Sequence, residues 1–131
     1  MATEQTSARS PAARHAGLLV LVVVLVLHLA ALYWPRVDLT GPVQWSDKVV
    51  HALLFAVPVI VAARVLHGWR RAALLLALHA PVSEVVQHYV LPHRSGDPLD
   101  AVADLLGVAL GATVAWWWAS RRVWSEAPES S

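Results

Sequence analysis

Three short runs of the chain hold the side chains able to do chemistry. Asp47, Lys48 and His51 lie in W-S-D-K-V-V-H, and Glu84, Gln87 and His88 in S-E-V-V-Q-H-Y. Asp97, Asp100 and Asp104 lie in G-D-P-L-D-A-V-A-D, with Arg94 just before them. A carboxyl beside a histidine suits general acid–base work, and Glu84 with His51 is the candidate pair. Lys48, His51 and Arg94 offer cations to an anionic group. Glu84 with His88, and Asp47 with His51, have the i, i+4 spacing of helical metal ligands. That spacing arises by chance in any histidine-bearing helix, so neither a metal nor another cofactor is expected. No nucleophile motif accompanies these groups: Ser83 and Ser95 lack a triad context and read as helix and turn oxygens, and the chain has no cysteine.

Residues three or four apart on a helix are surface neighbours. Asp47 and Lys48 therefore share a face with His51, Glu84 with Gln87 and His88, and Asp100 with Asp104. For these faces to meet, three helices must stand side by side, and composition indicates the medium. The 131 residues are 57% hydrophobic and 15% charged, with a mean hydropathy of +0.54, whereas a soluble domain carries about 25% charged residues. This is the composition of a membrane protein, and the length suits one domain. A formal net charge of +1 with no basic stripe excludes nucleic acid as a partner.

The hydrophobic runs predict four helices, over residues 16–34, 47–67, 70–91 and 98–119 of a transmembrane domain spanning 16–120. Residues 1–15, interrupted by Pro11, and residues 121–131 read as disordered tails. The first run is too long for a signal-peptide core and ends in Tyr-Trp-Pro-Arg, so it is read as a retained span. Ser46 or Asp47 can cap the second helix, Gly68 can stop it, and Pro98 suits the start of the fourth. Pro58 and Pro81 each free the carbonyl four residues back, which then needs a partner or water. The expected fold class is an all-α polytopic four-helix bundle.

With four spans, both termini share one side with Arg9, Arg14, Arg64, Arg70, Arg71, Arg121 and Arg122, while Arg36, Lys48 and Arg94 lie on the other. The positive-inside rule makes the first side cytoplasmic. Trp34 and Trp45 then mark the outer boundary, and Trp69, Trp116, Trp117, Trp118 and Trp124 the inner one. Every acid outside the tails falls on the outer side. Glu84 sits on the order of 10 Å below the outer boundary, where a carboxylate needs a partner or a proton. Lys48, His51 and Arg94 are the partners in reach. The expected site is an outward-facing pocket of Asp47, Lys48, His51, Glu84, Gln87, Arg94, Asp97, Asp100 and Asp104.

In these same residues, over about positions 45–112, the chain resembles the VanZ-like membrane proteins. Their pattern opens one helix with Asp-Lys-x-x-His, places Glu-x-x-Gln late in the next, and continues through an Arg and an Asp to Asp-x-x-x-Asn-x-x-Gly-x-x-x-Gly. The matching residues are Asp47, Lys48, His51, Glu84, Gln87, Arg94, Asp97, Asp100, Gly107 and Gly111. Where that pattern has asparagine, this chain has Asp104, an additional buried acid. The resemblance implies a small multi-pass protein of the bacterial cytoplasmic membrane, in a family whose name-giving member is associated with teicoplanin resistance.

Four roles follow for the polar cluster. It binds an anionic lipid or a lipid-linked envelope precursor, modifies one as an enzyme, or carries protons in a small transporter. In the fourth, it only packs the helices, each interhelical hydrogen bond then contributing about 0.6 kcal/mol. So many ionisable groups are an expensive way to gain packing, which favours a functional pocket. His28 and His79, the polar residues of the inner half, read as interhelical hydrogen-bonders. Gly107 and Gly111 form a G-x-x-x-G that lets helices approach closely, within the chain or, alternatively, in a homodimer through helix 4.

Overall fold

The computed structural model describes residues 10–34, 44–66, 68–91 and 96–125. These form four helices: α1 (Pro11–Tyr33), α2 (Gln44–Leu66), α3 (Trp69–Tyr89) and α4 (Pro98–Ser125). The fold is all-helical, and α1, α2 and α4 are each long and apolar enough to cross a membrane. α3 has 21 residues. Its mean hydropathy is lowered by His79, Ser83, Glu84, Gln87 and His88, the side chains that give the helix its interest.

The helix ends differ from expectation for identifiable reasons. α1 starts at Pro11, five residues earlier than position 16, and Ser10 Oγ caps it by accepting the Ala13 amide at 3.3 Å. Pro11 begins the helix because a proline in the first turn gives up an amide that has no helical partner anyway. α2 starts at Gln44, so Ser46 and Asp47 lie inside the helix, and Asp47 supplies its first-turn acid instead of its cap. α3 ends at Tyr89, short of the expected 91. α4 continues to Ser125, past the expected 119, so Arg121 lies within the helix, its guanidinium 3.7 Å above the Trp117 ring.

α2 is the central element. It touches the other three helices and packs most closely against α4, while α1 and α3 barely meet. The core joins Leu32, Phe55, Val59, Leu76, Ala80 and Val108. α2 and α4 run in step: Gly107 lies against the backbone of Ala52, and one turn on Gly111 lies against Ala56 and Val59. A Cβ on Gly111 would fall 2.7 Å from the Ala56 carbonyl oxygen, and one on Gly107 would overlap the Ala52 carbonyl. The G-x-x-x-G face is thus filled by α2 of the same chain.

The outward faces are aliphatic. Leu19, Val22, Val26 and Leu27 of α1, Leu53 of α2, Leu75 of α3 and Leu106 of α4 are all exposed, and continuous apolar surface of this extent suits lipid. At the Arg-rich end, Arg64 of α2 stacks 3.7 Å above Trp118 of α4. Between α1 and α3 runs a groove of about 1070 Å³, with His28 and His79 in its wall and Trp69, Arg70 and Arg71 at its far end.

A buried polar cluster between α2, α3 and α4

The close approach of α2 and α4 sets the site. One turn before the Gly107–Ala52 contact, His51 Nδ1 donates to Asp104 Oδ1 at 3.0 Å, both residues being buried. A turn nearer the helix ends, the Lys48 ammonium donates to Asp100 Oδ1 and, at 2.7 Å, to Asp97 Oδ2. The other ring nitrogen of His51 lies 3.9 Å from Asp100 Oδ2. The same helical step that seats two glycines on two alanines therefore lines up two polar side-chain pairs above them.

Asp97 ties the third helix in. Its side chain caps α4 by accepting the Leu99 amide at 2.9 Å, with Pro98 in the first helical position. Its own amide donates to Glu84 Oε2 at 2.9 Å. The Lys48 ammonium and the Leu99 amide together hold the Asp97 carboxyl below the ordinary carboxylate range. Gly96 makes this possible, since a Cβ there would stand 2.5 Å from the Glu84 carbonyl oxygen. Glu84 was expected to find a partner in Lys48, His51 or Arg94 or to hold a proton; among the described residues its hydrogen-bond partner is a backbone amide.

The cluster is closed at depth and open at its rim. Asp104 is 0% exposed, His51 3% and Glu84 7%, whereas the side chains of Lys48 and Asp97 are 27% and 42% exposed. Among the described residues, two buried oxygens, Glu84 Oε1 and Asp104 Oδ2, have no hydrogen-bond partner. Gln87 is also buried but turns elsewhere, donating to the Leu32 carbonyl in the last turn of α1 at 3.2 Å. Ser83 Oγ donates to the Ala80 carbonyl at 2.8 Å, a helix oxygen as expected. His88 is exposed and packs edge-on against Tyr89. Asp47 stands beside His51 and Asp100 at the start of α2, and Arg94 lies outside the described residues.

Below the cluster is a second polar chain that sequence reasoning found only in part. Pro58 cannot donate to the Leu54 carbonyl, and His28 Nδ1 of α1 does so instead at 2.9 Å. A carbonyl only accepts, so His28 Nδ1 carries a proton; in the neutral imidazole Nε2 then accepts from His79 Nδ1 at 3.2 Å. His79 Nε2 then accepts from the Tyr33 hydroxyl at 2.8 Å. Both histidines are thus interhelical hydrogen-bonders, as their place in the sequence suggested. The signal was present in the sequence as Pro58, but which side chain would answer it was not.

An all-helical protein with three membrane-length apolar helices and an acid-rich polar cluster at one end of the bundle is thus defined. No family model, curated protein or solved structure matches this chain.

Proposed function

We propose that the chain is a VanZ-like protein of the bacterial cytoplasmic membrane that acts at the cell envelope, with α3 as its fourth span and both termini cytoplasmic. Its polar cluster faces outward and binds or modifies an anionic lipid or a lipid-linked envelope component. One observation carries this reading. Residues that make the resemblance, dispersed from Lys48 to Asp100, meet at one end of three helices, where Lys48 joins Asp97 and Asp100 and the Asp97 amide joins Glu84. The distribution of arginines supports the orientation. The cost of burying Glu84 and Asp104 supports a use beyond packing.

The test compares the envelope lipids and teicoplanin susceptibility of cells with and without the protein. A lipid-linked species that accumulates or disappears with the gene supports the reading, and unchanged lipids with unchanged susceptibility refute it. Proton-coupled transport is the second reading, favoured by the Tyr33–His79–His28 chain that continues from beneath the cluster to the groove. Purified protein in vesicles separates the two, because only a transporter dissipates an imposed pH gradient.

A further inference from the structure

Three helices each send one buried, metal-ligating side chain to a common point. His51 of α2, Glu84 of α3 and Asp104 of α4 bring one donor atom apiece to within 4.8 Å of one another. Among the described residues, Glu84 and Asp104 are also the two whose carboxylates keep a buried oxygen without a hydrogen-bond partner. These are independent observations on the same residues: the first gives a constellation, the second an unmet demand for positive charge. Lys48 does not meet that demand, since its ammonium is bonded to Asp97 and Asp100.

We propose that His51, Glu84 and Asp104 form a binding site for a divalent first-row transition metal ion, with one nitrogen and two oxygen ligands. With His51 neutral, two carboxylates carry two negative charges, and a divalent ion makes the buried set neutral. Around a tetrahedral ion with bonds of about 2.1 Å, donor atoms stand about 3.4 Å apart, so the three side chains need to close only slightly. The ion takes the place of the proton on His51 Nδ1, which moves to Nε2 by exchange with water, so the imidazole stays neutral. Its Nε2–H then faces Asp100 Oδ2, 3.9 Å away, the arrangement in which a carboxylate orients a metal-bound imidazole. The neighbouring set of Asp47, His51 and Asp100 also converges, but there the Lys48 ammonium on Asp100 repels a cation.

The sequence expectation of no metal considered pairs within one helix. This set takes one ligand from each of three helices, as bundle metal sites do. Three protein ligands leave a tetrahedral ion one open position, where water or a phosphoryl oxygen of an envelope lipid would sit. That last use rests on the function proposed above; binding of the ion does not.

The experiment uses the full chain, purified in detergent with a tag free of histidine, stripped with chelator and titrated with Co²⁺ and Zn²⁺. The site predicts about one ion per chain, with visible Co²⁺ absorption of a low-symmetry N/O site. Glu84→Gln and Asp104→Asn weaken binding by roughly tenfold or more, while His15→Ala, which removes an exposed histidine of α1 outside the cluster, leaves it within about threefold of the unmodified chain. Unchanged affinity in both ligand variants overturns the proposal, as does the absence of stoichiometric binding. Should the variants fail to fold, the unmodified chain decides: Zn²⁺ must raise its unfolding temperature and chelator must reverse the rise. No shift overturns the site, whatever the outcome of the lipid comparison.

Discussion

Gly107 of α4 lies against the backbone of Ala52 of α2, one turn from the His51–Asp104 hydrogen bond. The glycine contact fixes the separation of the helices, and the polar pair depends on it. Gly107→Ala places a methyl group in the Ala52 carbonyl, so the helices must part. We expect a loss of about 1–3 kcal/mol in stability, measured by unfolding in mixed detergent, with no change of oligomeric state in gel filtration. Loss of a dimer on this substitution would instead favour association through helix 4.

Pro58 and His28 are coupled through the Leu54 carbonyl. His28→Phe removes the hydrogen bond that replaces the missing proline amide, and costs about 0.6–1.7 kcal/mol. In a Pro58→Ala background the helix supplies its own amide and His28→Phe costs less, by about 0.5 kcal/mol or more. Strictly additive effects in a double-mutant cycle contradict the assignment of the proton to His28 Nδ1.

Asp104 accepts a hydrogen bond through one oxygen, and an asparagine at this position keeps such an oxygen. Asp104→Asn should therefore cost under about 1 kcal/mol, whereas Asp104→Leu strands the His51 donor and costs about 1–3 kcal/mol. Equal costs in thermal unfolding contradict the geometry. A stable Asp104→Asn variant also makes the metal titration interpretable.

The Asp97–Lys48 pair gives a pH dependence of known sign. A carboxyl held below its ordinary range stabilises the fold only while it is ionised. The contribution is complete above the unfolded value of about 3.9 and lost as pH falls through the lower folded value. Asp97→Asn should therefore lower the unfolding temperature at neutral pH, and the difference from the unmodified chain should shrink below about pH 4. A difference that grows on acidification contradicts the pair.

Much of this arrangement can be read from local rules. Apolar runs indicate the helices, and i, i+3 or i, i+4 spacing selects the faces bearing Lys48 with His51 and Asp100 with Asp104. Partners across helices are not readable this way, because no spacing rule relates Lys48 to Asp97 or Asp100, or the Asp97 amide to Glu84. Their meeting depends on how closely α2 and α4 approach, which Gly107 hints at without giving the register. Gln87 shows the limit from the other side: its spacing from Glu84 places it on the cluster's face, yet its amide reaches the end of α1. The start of α1 was misplaced because Pro11 breaks a helix when inside it and favours one when at its first turn.

The central claim is that the polar cluster is used and does more than pack helices, and Glu84→Gln tests it most directly. The substitution keeps the shape of the side chain and an oxygen to accept the Asp97 amide, while removing the acid. Expressed in place of the unmodified protein, together with Asp47→Asn as a second variant, it should reach the membrane at normal levels and abolish the envelope lipid change or teicoplanin phenotype. Full activity of both variants at normal membrane levels would contradict the account, and loss of the protein from the membrane would assign the cluster to folding.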